Sequence, residues 1–104
     1  MPEKWELQFV GLSREDEIDK SAAETMAGNS AEKISALIPN NLKLTVHVKT
    51  SSRTDGRKKY HVTSRVNSPG LFLEAKEEGW IFIQALEKSM KVLLAEVKKK
   101  LRKT

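Results

Sequence analysis

A chain of 104 residues suits one domain and is too short for two ordinary ones, and a 38% hydrophobic content allows a real but modest core. The absence of cysteine excludes a disulfide framework and any thiolate metal site, and it fits a reducing compartment. The formal net charge of +5 hides a division: residues 1–40 carry four basic and eight acidic side chains, whereas residues 41–104 carry fifteen and six. That contrast points to a directional field and an anionic partner.

No basic start followed by a long apolar run occupies Met1 to Leu12, so no secretory signal is expected. No stretch approaches the roughly 18 apolar residues that span a bilayer. The expectation is a soluble, cytoplasmic, single α+β domain over residues 1–104 with no membrane partner.

From Trp5 to Leu12 the residues Trp5, Leu7 and Phe9 alternate with Glu6 and Gln8, the pattern of a half-buried strand. Ser13 then opens a helix, with Asp16 three residues on in the manner of a capping box. Ile18, Ala22, Met26, Ser30, Ile34 and Leu37/Ile38 trace its apolar stripe, which Gly28-Asn29 interrupts. One bent helix and two short ones both satisfy this pattern. Pro39-Asn40-Asn41 ends it.

Leu42, Leu44, Val46 and Val48 then point one way, and Lys43, Thr45, His47 and Lys49 the other. The polar stretch Ser51 to Lys58, with Asp55-Gly56 near its centre, reads as a hairpin loop. A second alternation sets Tyr60, Val62, Ser64 and Val66 against His61, Thr63, Arg65 and Asn67. Ser68-Pro69-Gly70 suits a tight turn, and Leu71, Leu73 and Ala75 face inward on the next strand. Gly79 is placed to cap a long helix from Trp80 to about Arg102, with Phe82 or Ile83, Leu86, Met90, Leu93/Leu94, Val97 and Leu101 as its core stripe. Trp5 and Trp80 are both expected to pack. At 1.5 Å per residue this helix measures about 35 Å, against about 20 Å for a six-residue strand, so the basic end 98–104 is expected to overhang into water.

The order is therefore β-α-β-β-β-α. Two helices needing an apolar surface, and strands with one apolar face, give two helices packed on one face of a four-stranded sheet. The opposite face is then polar and exposed.

Catalytic chemistry needs a constellation that the sequence does not display. His47 and His61 fall on the exposed face without a carboxylate or thiolate nearby in sequence, a poor metal site. No serine occupies a nucleophile elbow with a base at hand, and no glycine-rich phosphate loop of either standard pattern occurs. No enzyme activity, cofactor or small-molecule substrate is expected. The basic residues form three groups: Arg53, Arg57, Lys58 and Lys59 in the hairpin; Lys43, Lys49 and Arg65 on the sheet face; and Lys88, Lys91, Lys98, Lys99, Lys100, Arg102 and Lys103 in the last helix. Phosphate neutralisation with counterion release makes such groups nucleic-acid ligands without any base reading, and a single electropositive surface is expected to gather them. His47, Tyr60 and His61 are candidate stacking surfaces, with Tyr60 better suited to the core.

The run from Arg57 through Lys58, Lys59, Tyr60, His61 and Val62 to Val66, then Ser68-Pro69-Gly70, then Leu73-Glu74-Ala75, then Glu78-Gly79 before Ala85-Leu86-Glu87, resembles the ribosome hibernation-promoting factors. These are also called ribosome-associated inhibitors or ribosomal subunit interface proteins. The similarity covers roughly residues 41–103, and the element order extends it to residues 5–38. The resemblance implies a β-α-β-β-β-α fold, no catalysis, and binding to ribosomal RNA in the decoding region of the small subunit. Translation would thereby be silenced under stress. It also implies RNA contacts from basic side chains of the second helix, around Lys88, Lys91, Lys98 and Lys99. This chain differs from the family in its acidic first helix and in Ile81, where the family often has Asp. A double-stranded-RNA-binding module, with its α-β-β-β-α core, and a basic adaptor for acidic proteins are the alternative readings.

Overall fold

The structure, a computed structural model, describes residues 5–11, 17–38, 41–52 and 58–102. The expected Ser13–Asp16 cap, the Pro39-Asn40 stop, the Asp55-Gly56 turn, Arg53, Arg57 and Lys103 lie outside them. Six elements follow in order: β1 (Trp5–Val10), α1 (Glu17–Leu37), β2 (Leu42–Ser52), β3 (Lys58–Ser68), β4 (Leu71–Gly79) and α2 (Phe82–Arg102). The fold is α+β, with the β-α-β-β-β-α order read from the sequence.

The four strands form one mixed sheet in the order β1-β2-β3-β4. β1 runs parallel to β2, with Trp5 beside Leu42 and Val10 beside His47. Parallel neighbours need a long crossover, and α1 supplies it. β2, β3 and β4 are antiparallel, with Val46 opposite Ser64 and Ser64 opposite Ala75. The β2–β3 ladder reaches Ser52 and Lys58, so the hairpin loop is shorter than its polar composition suggests. Pro69 and Gly70 alone join β3 to β4, and Gly70 takes φ +79°, as the third position of a type II turn requires. At the end of β1, Gly11 has φ +92°, and a Cβ there would stand 2.1 Å from the Val48 carbonyl oxygen. Only glycine fits this approach of one backbone to another.

Both helices cover the face formed by Leu42, Leu44, Val46, Val48, Val62, Val66, Leu73 and Ala75, all buried. α1 packs on β1 and on α2, and α2 packs on β3 and β4. α2 shows the expected stripe as far as Val97: Phe82, Leu86, Met90, Leu93 and Val97 are buried and Ile83 and Leu94 are half-buried, but Leu101, expected in the core, is exposed at the end of the helix. Burying a side chain of this size stabilises by about 1.5–3 kcal/mol, so these residues dominate the core.

Three expectations need correction. Of the two alternatives at Gly28-Asn29, α1 is one helix, but its buried positions are Ala23, Ala27, Ala31, Ile34 and Ser35, followed by buried Ile38, whereas Ala22 and Leu37, expected in the stripe, are exposed. Three of these are alanines at i, i+4 spacing, small residues that a search for bulky apolar side chains does not mark. Gly79 ends β4 and does not cap α2; the Ile81 carbonyl accepts the first helical bond, from the Ala85 N–H at 3.1 Å. Trp80 and Ile81 therefore lie outside the helix and are exposed, whereas Trp5 packs against the core. Lastly, β4 has nine residues rather than six, about 30 Å of strand. At about 32 Å, α2 is close to that length, so the lengths do not make its end overhang; Lys98 to Leu101 are nonetheless exposed.

Candidate nucleic-acid interface

The basic residues divide between the two faces of the molecule. On α2 the buried residues occupy one side, and at 100° per residue Lys88, Lys91, Lys98 and Lys99 fall on the opposite side. All four are exposed. Two acids border this stripe: Glu87, which pairs with Lys91 at 3.1 Å, and the half-buried Glu96. Lys88, Lys98, Lys99 and Lys100 make no ion pair among the described residues. Lys100 faces the core side of the helix yet is exposed, beside Pro69, Gly70 and Leu71 at the β3–β4 turn. Arg102 ends the helix.

α1 lies alongside this stripe. A groove of about 380 Å³ between the helices has Met26, Met90 and Leu94 on its apolar surface and Lys33 and Lys91 at its margins. Lys33, overlooked when the acidic first part of the chain is read as a block, thus joins the basic side. Its signal was available in the sequence only to a reader who knew which faces of α1 and α2 meet.

Lys43, Lys49, Lys59 and Arg65 lie on the far face of the sheet, which neither helix covers. Acids of β4 interleave with the cations of β3. Arg65 Nε donates to Glu74 Oε2 at 2.6 Å, with Lys76 Nζ 3.5 Å from the other oxygen. Lys59 Nζ donates to Glu78 Oε1 at 3.1 Å, and His61 Nδ1 lies 3.3 Å from Glu78 Oε2. The hydrogen bonds from Arg65 and Lys59, reinforced by their charges, hold the Glu74 and Glu78 carboxyls below the ordinary range. Lys59 also stands 5.7 Å from the Trp80 ring. Lys58 opens β3 opposite Ser52, at the hairpin end of the molecule.

The single electropositive surface expected from the sequence is thus two surfaces. The hairpin start at Lys58 and Lys59 lies level with the beginning of α2, and Lys98 to Lys100 lie at its end, roughly 25 Å along the axis. Alternation placed each sheet residue on the right face; it could not reveal that β4 carries the acids that neutralise β3.

The histidines also differ from expectation. His47 is opposite Thr63 and His61 is opposite Lys49, so the rings are diagonal neighbours, and Glu78 gives His61 a carboxylate after all. Ser51 Oγ lies 3.1 Å from His61 Nε2, which makes a Ser–His–Glu chain across three strands. Ser51 is exposed at the hairpin end and Glu78 is shared with Lys59, so the chain ties the strands together on an open surface. Among the described residues no three His, Cys, Asp or Glu side chains converge as a metal site.

The arrangement of strands and helices recurs in solved structures. The N-terminal domain of Protein Y from Thermus thermophilus superposes with a TM-score of 0.65 over 90% of this chain and 93% of that one, at 17% identity. A ribosomal subunit interface protein from Coxiella burnetii superposes with a TM-score of 0.58 over 95% of this chain and 98% of that one, also at 17% identity. The chain has their fold. No family model matches the sequence, and no curated protein matches it. The likeness spans both helices and all four strands, so the resemblance read from residues 41–103 extends as a fold to the first helix. No helix among the described residues is long and apolar enough to cross a membrane.

Proposed function

We propose that this chain is a non-catalytic, RNA-binding protein of the ribosome, which occupies the decoding region of the small subunit and inhibits translation under stress in the cytoplasm. The observation that carries the reading is the stripe Lys88, Lys91, Lys98 and Lys99, exposed along one side of a helix whose two acids are Glu87, ion-paired to Lys91, and the half-buried Glu96. The fold shared with a ribosomal subunit interface protein supports the same partner. Each lysine that meets a phosphate releases a counterion, so affinity rests on the number of neutralised phosphates and falls as salt rises. A protein seated in that region excludes messenger and transfer RNA by volume alone, which needs no catalytic group.

Sedimentation with purified small subunits through sucrose gradients tests this. The chain is expected to travel with the subunit at about 50 mM salt and to leave it at several hundred millimolar. Changing Lys98, Lys99 and Lys100 together to Glu is expected to weaken binding by about tenfold or more while the melting temperature stays put, because all three are exposed. Undiminished co-sedimentation of that variant would remove the end of α2 from the site.

A further inference from the structure

The open face of the sheet carries a second feature, separate from α2. β2 presents Lys43, Thr45, His47, Lys49 and Ser51 on this face, a column without an acid. The β3 cations beside it are engaged by β4, whereas Lys43 and Lys49 are exposed and form no ion pair among the described residues. The flanking acid on the β1 side is Glu6, in register with Lys43. Six residues of strand separate the two lysines by about 20 Å, and the half-buried His47 ring lies between them. The cross-strand row from Lys43 passes Asn67 to Phe72, whose side chain is 60% exposed about 10 Å away.

We propose that this column is a track for single-stranded RNA, a second contact surface on the side of the sheet opposite α2; it rests on the RNA-binding reading above. Two free cations in line, with a ring between them and another beside one end, match a backbone that carries phosphates outside and unstacked bases inside. Phosphates meet Lys43 and Lys49, and bases stack on His47 and Phe72. A duplex fits less well, because its bases are already stacked on each other and leave no face for either ring.

The test uses an eight-residue oligouridylate carrying a fluorophore, titrated with the full chain by anisotropy between 50 and 200 mM salt. For Lys43→Gln/Lys49→Gln the affinity is expected to fall, and the slope of log K against log salt to shrink by about 1.4, two single-strand phosphates' worth. Phe72→Ala is expected to weaken binding about fivefold or more with the slope unchanged. NMR on the unmodified protein, which needs no variant, is expected to show shifts at Thr45, His47 and Thr63 when the oligomer is added. An unaltered slope in the lysine variant, or shifts confined to α2, overturns the proposal. Displacement of the oligomer by polyglutamate at equal charge concentration also overturns it, by making the surface a site for acidic protein. A chain that ignores ribosomes yet keeps the oligomer response sinks the ribosomal reading and leaves this one standing.

Discussion

Ser64 and Ser89 meet where the centre of β3 faces the middle of α2, and both are fully buried. Ser89 Oγ donates to the Leu86 carbonyl at 2.8 Å, which uses its one hydrogen. The 2.9 Å contact between the two hydroxyls therefore has Ser64 as donor. The pair is asymmetric. Ser89→Ala strands a buried hydroxyl on Ser64 and is expected to cost about 1–3 kcal/mol, whereas Ser64→Ala leaves Ser89 bonded and is expected to cost about 0.5–1.5 kcal/mol. Urea denaturation of both variants checks this, and equal losses would show that the donor assignment is wrong. Alternation along β3 made Ser64 an inward residue from the sequence alone. Nothing comparable singled out Ser89, because a lone serine on a helix acquires its role only from what it faces.

At the scale of elements, α1 was the least legible. Ala22 and Ala23 differ by one position and are alike in chemistry, so periodicity could not decide which one the core takes. Gly28 sits mid-helix, and a Cβ added there would lie 3.6 Å from the Trp5 ring, an ordinary contact. Gly28→Ala is therefore expected to stabilise the chain by about 0.5–1 kcal/mol, since alanine loses less backbone entropy in a helix. A loss in thermal or chemical denaturation would mean that Trp5 cannot yield.

β3 and β4 carry a pH dependence of definite sign. Arg65 and Lys59 lower the folded-state carboxyls of Glu74 and Glu78 below their ordinary value of 4.5. Depressed carboxyls contribute stability above that ordinary value, and the contribution disappears as pH falls through it and then through the lower folded value. Both pairs are exposed, so the effect is small. The stability gap between the wild type and Glu74→Gln/Glu78→Gln is expected to close between pH 6 and pH 3. By NMR titration, Arg65→Gln is expected to raise the Glu74 midpoint, and an unmoved midpoint would discard Arg65 as the cause.

For the whole molecule, the sheet is a partition. Basic residues that the sequence pooled into one surface are separated by it: those of α2 stand on the helical side, and Lys43 and Lys49 of β2 with Lys59 and Arg65 of β3 on the open side. The consequence for function is that the two sets can be altered independently. Substitutions at Lys98 to Lys100 and at Lys43 with Lys49 are expected to have separate effects on binding, and neither touches the core.

The sequence by itself determined the element order, the two helices on one sheet face and the inward residue of nearly every strand position, because alternation and amphipathic spacing are local properties written in the chain. Even the asymmetry of charge between the two parts of the chain was readable. Tertiary structure decided which cations stay free. An ion pair such as Arg65 with Glu74, or a buried contact such as Ser64 with Ser89, joins residues whose separation in sequence carries no periodic signal. Only strand register and helix facing bring such residues within bonding distance, and those are fixed by how the whole apolar core closes.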